Sequence, residues 1–187
     1  YISDVGGPSA NMYGFECRKK LNHGSCPDKR CIYPEVCKAL KPDHSRQTRL
    51  LKKMRKIPGI KKIFVASGIR FDLIFEDEKH GEDYLAEIVN HHVSGQLKIA
   101  PEHTVNRVLE HMGKPAAAEL TRFKDTFYKL SAAAGKKQFL TYYLIAAHPG
   151  CSDADMIALK QYFSKNMHVL PEQVQIFTPT PSTYSSL

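Results

Sequence analysis

The sequence predicts an α/β protein in which parallel strands form a partial (β/α) barrel, TIM-like in plan, over residues 1–187. Five apolar segments of strand length alternate with at least four helical segments. Crossovers of this kind are right-handed and place neighbouring strands parallel. All five segments end in glycine, proline or polar residues, whereas a doubly wound sheet would concentrate its site at one switch point. Because all five strand ends carry such residues, we favour a barrel, in which the active-site residues lie at the carboxyl-terminal ends of the strands.

The composition is that of one globular domain with a sizeable core. The chain has 187 residues, of which 42% are hydrophobic and 25% charged. It contains no run of about 18 apolar residues and no signal-peptide pattern, so we expect no membrane span and a cytoplasmic location. It lacks an initiator Met, and we expect it to be a piece of a longer protein. The formal charge of +8 favours an anionic partner such as nucleic acid or phosphate.

The first predicted strand is Tyr1 to Val5, and it ends at Gly6-Gly7-Pro8. Two glycines at a strand end permit either a simple turn or a close approach of the backbone to a ligand. Residues 11–41 then form a cysteine-rich insertion without a clear period. A loop of about 30 residues inside a compact domain is usually functional or held by something else.

Four cysteines in this insertion are candidate metal ligands: Cys17, Cys26, Cys31 and Cys37. Four thiolates could close a tetrahedral zinc site or carry an iron–sulfur cluster, and His23 could replace one of them. The spacing C-x8-C-x4-C-x5-C contains no C-x2-C pair, so unligated or disulfide-bonded thiols are the alternative. Without a secretory context, reduced thiols or metal ligands are favoured over disulfides.

A basic helix follows the insertion. Asp43 or Ser45 is predicted to cap it, and it runs to about Lys56 with an apolar stripe on one face. The basic face within residues 38–62 could bind RNA. It has no interleaved aromatic residues, and a solvated helix surface is the alternative.

The second and third predicted strands are Lys62 to Ser67 and Gln96 to Ala100. The helix between them ends at His91-His92, two residues that point apart and are therefore interpreted as helix-end residues rather than metal ligands. The third strand ends at Pro101-Glu102-His103-Thr104. A carboxylate beside an imidazole suits proton transfer or ligand binding, but Glu102 and Thr104 could instead cap the next helix, Val105 to Met112.

The fourth predicted strand, Phe139 to Ala147, is apolar on both faces, which is typical of a parallel strand covered on both sides. A helix from Ala117 to Ala134 precedes it. The strand stops at His148-Pro149-Gly150, and Ser152 or Asp153 then caps a helix that continues to about Asn166. The fifth strand, Gln173 to Phe177, ends in the polar residues 178–183.

Six segments of the chain together resemble the radical S-adenosylmethionine enzymes, and most closely the YgiQ-type group. They are SDVGGPSANMYG, the cysteine block ending in CIYPEVC, KKIFVASGIRFDL, HHVSGQLKIAPEHT, YYLIAAHPGCSDADM and VQIFTPTPST. The resemblance implies a partial (β/α)6 barrel that holds S-adenosylmethionine and a [4Fe-4S] cluster. In such enzymes the reduced cluster cleaves the sulfonium to give a 5′-deoxyadenosyl radical.

The residues that the resemblance assigns to the cofactor lie at strand ends: Gly6, Gly7, Ser67, Arg70, Lys98, Glu102, His103, Ile145, His148 and Gly150. The two glycines match the motif that receives the methionine amino group, and Ile145 with His148 to Gly150 matches the motif beside the adenine. Lys98, Glu102 and His103 lie where the methionine carboxylate or the ribose is contacted. Ser67 and Arg70 lie on the third rim, where a guanidinium would suit a carboxylate, although Arg70 could equally pair with Asp72.

One departure from the family limits what this chain is expected to do. The family's cluster-binding C-x3-C-x2-C loop is absent from the sequence. We therefore expect the chain to supply strands two to six of the barrel and not to cleave S-adenosylmethionine by itself. The four-cysteine block would then be an accessory metal site. A missing strand would also leave an open edge at Tyr1 to Val5, which predicts a homodimer or a loose N-terminus.

Two rival functions remain, and the substrate is not indicated. One is a non-catalytic, metal-stapled module that binds RNA through residues 38–62. The other is a metal-dependent hydrolase using Glu102, His103 and His148, which is disfavoured because the sequence has no H-x-H or HExxH ligand pair.

Overall fold

The structure is a computed structural model that describes residues 1–6, 10–24, 26–27, 31–171, 173–181 and 184–186. Gly7, one of the predicted cofactor contacts, and residues 182–183 at the end of the last predicted strand lie outside this set. Three strands form a single parallel sheet in the order β1 (Gln96–Glu102), β2 (Phe139–Ala146), β3 (Gln173–Ile176). The mixed α/β class with parallel strands is thereby confirmed.

The two earlier predicted strands lie beside this sheet but are not regular strands. Ile2 forms a parallel bridge with Ile63, and Ile69 forms one with Ile99 of β1. Backbone pairing with Ile2 and Val5 extends to Phe64, and beyond it other groups take the ladder positions. The amide of Val65 donates to the carbonyl of His92 (2.9 Å), and the carboxylate of Asp4 accepts the amide of Ala66 (2.8 Å).

Seven α-helices connect or cover these segments in the described chain. They are α1 (Arg18–His23), α2 (Ser45–Met54), α3 (Phe71–Glu76), α4 (Gly81–His91), α5 (Asn106–Met112), α6 (Ala118–Ala133) and α7 (Asp153–Tyr162). Five match predicted helices to within a few residues. The prediction missed α3 because its first four residues are all buried and show no polar face, and it missed α1 because none of its residues is buried.

One face of the sheet packs on the helices and carries the core. Leu97 and Ile99 of β1 and Leu140 and Leu144 of β2 are buried there, against helical side chains such as Phe123. The alternate side chains of both strands point to the opposite face and are only half-buried or exposed. The fourth predicted strand was expected to be covered on both faces, and the structure instead leaves its second face partly open.

The paired histidines end α4 as predicted, but the second is a core residue. His91 is the last residue of α4, and His92 is fully buried. The His92 ring places Nδ1 2.9 Å from the Ile63 carbonyl oxygen and Nε2 3.3 Å from a Glu87 carboxylate oxygen. That carboxylate also accepts from Arg55, just after α2 (2.6 Å), so this cluster joins α2, α4 and the 62–67 segment.

In the described part of the chain, none of the helices combines the length and the apolar character needed to cross a membrane.

Candidate functional site

The first group of predicted residues lies where segments 1–6, 62–67 and β1 approach one another. A Cβ atom built on Gly6 would lie only 2.5 Å from the Cβ of Ser67, so this approach requires glycine. The Ser67 hydroxyl donates to the Asp4 carboxylate. Burial alone would raise the pKa of Asp4, but the hydrogen bonds from Ser67 and Ala66 and the charge of Lys98 hold that pKa below its usual value. Asp4 is therefore ionised at neutral pH.

The Arg70 side chain forms an ion pair with a neighbouring residue. Its guanidinium pairs with Asp72 (Nε to Oδ1, 2.9 Å), as the alternative interpretation allowed. The side chain of Asn11 holds the Arg70 backbone at both its amide and its carbonyl, each at 2.8 Å. Arg70 therefore has a fixed backbone and a neutralised side chain.

Glu102 ends β1 in a strained conformation and forms an ion pair. Its φ is 62°, a value that non-glycine residues rarely adopt, and the register with β2 shifts between Ile99 and Glu102. Its carboxylate lies 2.7 Å from the ammonium of Lys114. Burial lowers the pKa of Lys114, and the attraction of Glu102 opposes that shift. Glu102 does not cap α5, because Val105 occupies the N-cap position.

His103 is buried beside Cys151. Its Nδ1 accepts the amide of Val105 (3.0 Å), so in the neutral ring the proton is on Nε2, which lies 3.7 Å from the Cys151 sulfur. Burial lowers the pKa of His103, although Asp155 opposes the shift. The ring is consequently neutral near pH 7 and holds the chain between β1 and α5.

A cavity of about 380 Å³ lies at the carboxyl ends of the three strands. Its walls include Glu102 at the end of β1, Tyr143 and Ile145 of β2, and Gln175 of β3. The Tyr143 hydroxyl donates to the side-chain oxygen of Gln175, which links β2 to β3 on the open face. Three of the eleven lining residues were predicted: Glu102, Ile145 and His148.

His148 lines this cavity and has one buried ring nitrogen without a partner among the described residues. The residue is only 3% exposed, and its ring packs edge-on against Phe177 with centroids 4.8 Å apart. Nδ1 lies 2.9 Å from the Pro149 carbonyl oxygen, which can only accept, so Nδ1 carries a proton. Nε2 is buried and has no hydrogen-bond partner among the described residues. Buried polar atoms of this kind are uncommon and call for an explanation.

Gly150 belongs to the turn after β2 and not to the cavity wall. Its φ is +81°, and an added Cβ would lie 3.0 Å from the His111 ring. Its carbonyl accepts from Arg107 (2.7 Å), and Arg107 also pairs with Asp155 of α7. Ser152 and Asp155 form a reciprocal capping box at the start of α7, as the prediction for Ser152 required.

Of the predicted cofactor residues, Glu102, Ile145 and His148 line the cavity, and Glu102 also pairs with Lys114. Four participants were not predicted: Asp4, Lys114, Tyr143 and Gln175. The sequence could have pointed to two of them. Asp4 lies two residues before Gly6-Gly7, and Lys114 lies between the helix-breaking residues Gly113 and Pro115.

The four cysteines of the insertion are all half-buried or exposed. The amide of Cys37 donates to the Cys31 carbonyl (2.8 Å), and Cys17 forms an antiparallel bridge with Leu40. Burial raises the pKa of the Cys31 thiol, and the other three thiols raise that pKa further. In the described residues no set of three or more His, Cys, Asp or Glu side chains is already arranged around a common metal position.

Comparison with known proteins finds curated relatives that carry the name UPF0313. No protein-family profile matches the chain. Over 186 residues it is 63% identical to a UPF0313 protein of Fusobacterium nucleatum, a match that covers 100% of this chain and 33% of the relative. It is 47% identical to a UPF0313 protein of Clostridium perfringens (100% and 28% covered) and 45% identical to one of Methanosarcina acetivorans (99% and 24% covered). The chain spans about a third or less of the length of these curated relatives, and their names state no activity.

Proposed function

We propose that this chain is part of a UPF0313 protein and that its strand ends bind S-adenosylmethionine in a radical S-adenosylmethionine enzyme. The identity to UPF0313 proteins along the whole chain supports the first part. The motif resemblance supports the second. On this proposal segments 1–5 and 62–67, β1, β2 and β3 are consecutive strands of a partial (β/α) barrel, an arrangement that the parallel bridges favour.

The observation that carries the proposal is the buried, unpartnered Nε2 of His148, a residue that lines the cavity. A buried ring nitrogen with a free lone pair is a suitable acceptor for the exocyclic amino group of adenine. The cavity volume of about 380 Å³ lies within the usual range of ligand pockets. Ile145 and Phe177 supply apolar walls for a base, and the carboxylate of Glu102 suits ribose hydroxyls.

The group at Gly6 suits the other end of the same ligand. A methionine amino group is cationic, and the ionised Asp4 carboxylate beside Gly6 would attract it. Lys98, which acts on Asp4, carries the charge that a methionine carboxylate would need. A Cβ atom on Gly6 would lie within 2.9 Å of the Ser67 and Asp4 side chains, so glycine lets both side chains lie against its backbone.

When bound, a reduced [4Fe-4S] cluster supplies the electron that cleaves the sulfonium in enzymes of this kind. The sequence has no C-x3-C-x2-C loop to hold that cluster. The residues of this chain would therefore bind and orient the cofactor, and we expect binding without cleavage. The substrate of the parent enzyme is left open.

Calorimetric titration of the chain with S-adenosylmethionine tests the proposal. We expect saturable binding, weakened about tenfold or more in His148→Ala because the adenine contact is lost. Asp4→Asn should weaken binding of both S-adenosylmethionine and S-adenosylhomocysteine, since both carry the amino group. His23→Ala, an exposed change on α1, is the control. Absence of binding, or equal affinities in wild type and His148→Ala, would contradict the proposal.

The rival functions have less support in the geometry. Two cations of the basic helix region are already paired, Arg46 with Glu16 and Arg55 with Glu87. A hydrolytic metal site built from Glu102, His103 and His148 would need His103 to turn away from Val105 and Cys151.

A further inference from the structure

A small cavity, here called the basic cavity, lies where the 62–67 segment begins, at the opposite end of that segment from Ser67. Its lining comes from the residue after α2, from the approach to the segment and from the end of α4: Arg55, Ile60, Lys61, Lys62, Ile63 and His91. Its volume is about 110 Å³, well below the roughly 300–1,000 Å³ of pockets that enclose a whole small molecule. The basic cavity therefore suits one chemical group of a ligand.

The basic cavity carries more positive than negative charge. Arg55, Lys61 and Lys62 supply three cations, and among the described residues their one acidic partner is Glu87, 2.6 Å from Arg55. The contact with Glu87 uses Nη1 of Arg55, whereas a guanidinium has five N–H donors. Like charges around one cavity repel one another, and an anion between them would remove that repulsion.

The backbone of Ile63 adds a buried hydrogen-bond donor. Ile63 is 1% exposed, and its amide donates to none of the described residues. Its bridge to Ile2 uses the Lys62 carbonyl (2.9 Å) and the Phe64 amide (3.0 Å). Backbone groups of successive residues in an extended segment point to opposite sides, so the Ile63 amide points away from Ile2, as does its carbonyl, which contacts the His92 ring (2.9 Å). A buried amide without an acceptor is rare, and this one predicts an acceptor beside the end of α4.

The end of α4 makes the same place more positive. His91 is exposed there, and the ammonium of Lys136 donates to the carbonyl of the preceding residue, Asn90. Burial lowers the pKa of His91, and the charges of Arg55 and Lys136 lower it further, although Glu87 opposes the shift. The His91 ring is therefore neutral near pH 7 and offers one N–H donor.

We propose that the basic cavity binds a terminal phosphate group, that of a small phosphate monoester or of inorganic phosphate. Guanidinium and ammonium groups form strong, charge-assisted hydrogen bonds with phosphate oxygens. A terminal phosphate has three acceptor oxygens, which can serve the Arg55 guanidinium, the lysine ammonium groups and the Ile63 amide together, whereas a carboxylate has two. This site lies at the other end of the 62–67 segment from the proposed cofactor residues and does not depend on the proposed function.

NMR titration of the isotopically labelled chain with inorganic phosphate tests the proposal, with chloride at equal ionic strength as the reference. We expect saturable shifts of the Ile63 amide and of the His91 ring. Lys62→Ala should weaken phosphate binding about fivefold or more, because it removes an unpaired cation from the cavity. Lys129→Ala is the matched control: it removes the same charge from an exposed position on α6 and should leave the affinity unchanged.

Three results would overturn the proposal. One is a set of shifts that does not saturate or that chloride reproduces, which would indicate general screening of charge. Another is equal phosphate affinity in Lys62→Ala and Lys129→Ala. The third comes from adding a short RNA without terminal phosphates: if it displaced inorganic phosphate, with binding that weakens steeply as salt rises, the surface would serve a nucleic-acid backbone instead. We expect phosphate to stay bound.

Discussion

At the scale of single residues, His44 shows how a buried ring can tie distant segments together. The ring is fully buried between Asn11 and Asp77, and it lies 4.6 Å from the Tyr84 ring, centroid to centroid. Burial lowers the pKa of His44, and the hydrogen bond and charge of Asp77 oppose this shift. Asp43 also opposes it, whereas His80 reinforces it. The fold therefore contains His44 as a neutral ring.

This pKa shift makes the stability of the protein depend on pH. Because the folded-state pKa of His44 lies below the value of about 6.5 expected when unfolded, the unfolded chain binds more protons below that pH. The free energy of unfolding should therefore fall as the pH drops below about 6.5, with His103 contributing in the same direction. Urea unfolding at several pH values measures this, and His44→Gln should have a shallower pH dependence than His23→Gln. Equal slopes in the two variants would exclude His44 as a source.

Some residues of the candidate site can be identified from the sequence, whereas others act on partners that only folding brings close. Gly6, Glu102 and His148 follow apolar runs directly, so the sequence marks them. Asp4 and Lys114 act on partners that the chain brings close only through folding: Asp4 on Ser67 and Lys114 on Glu102. The unpartnered Nε2 of His148 is likewise a property of the folded state, because it depends on what fails to reach the ring.

At the scale of elements, the junction between α3 and α4 depends on a glycine. Gly81 begins α4, and a Cβ atom built there would lie 1.8 Å from the carbonyl oxygen of Ile74 in α3. The obstacle is backbone and cannot rotate away, so the two helices would have to separate. Their contact is part of the core, in which Ile74, Tyr84 and Leu85 are buried.

Gly81→Ala should consequently destabilise the protein by about 3 kcal/mol, the upper range for overpacking a core. Denaturant unfolding of the variant gives the value. Gly68→Ala is the matched control, because its Cβ would meet only the Ala100 Cβ at 3.9 Å, an ordinary contact. If both alanine variants unfolded at the same denaturant concentration, the tight approach of α3 and α4 would be wrong.

Elements with a strong local signal were predictable, and those held by side chains were not. The apolar run before Pro149 predicts β2 to within one residue, and Ser152 marks the start of α7. Lys62 to Ser67 has the composition of a strand and pairs with Ile2 and Val5 as far as Phe64, but the next amides, of Val65 and Ala66, bond to the His92 carbonyl and the Asp4 carboxylate. Such replacements depend on tertiary contacts, and no periodic pattern in the sequence encodes them.

At the scale of the whole molecule, the sheet has an uncovered side at β3. Val174 and Ile176 pair in register with Leu144 and Ala146 of β2 and therefore project to the face that the helices cover elsewhere. Leu144 is buried, but Val174 is 48% and Ile176 71% exposed. Within the described sheet β3 is also the last strand, so exposed apolar side chains coincide with an edge. This combination favours pairing with another polypeptide.

We therefore expect the isolated chain to self-associate through β3, and sedimentation velocity over a range of concentrations measures this. The sequence also predicts an open edge at Tyr1 to Val5, but β3 carries two exposed apolar side chains on one face, Val174 and Ile176. Ile176→Lys should shift the distribution towards monomer, since a charge on this face is costly to bury. Ile157→Lys is the matched control: Ile157 is 58% exposed on α7, away from a sheet edge, and its replacement should leave association unchanged. A chain that stays monomeric at every concentration, or equal effects of the two lysines, would remove β3 as the contact.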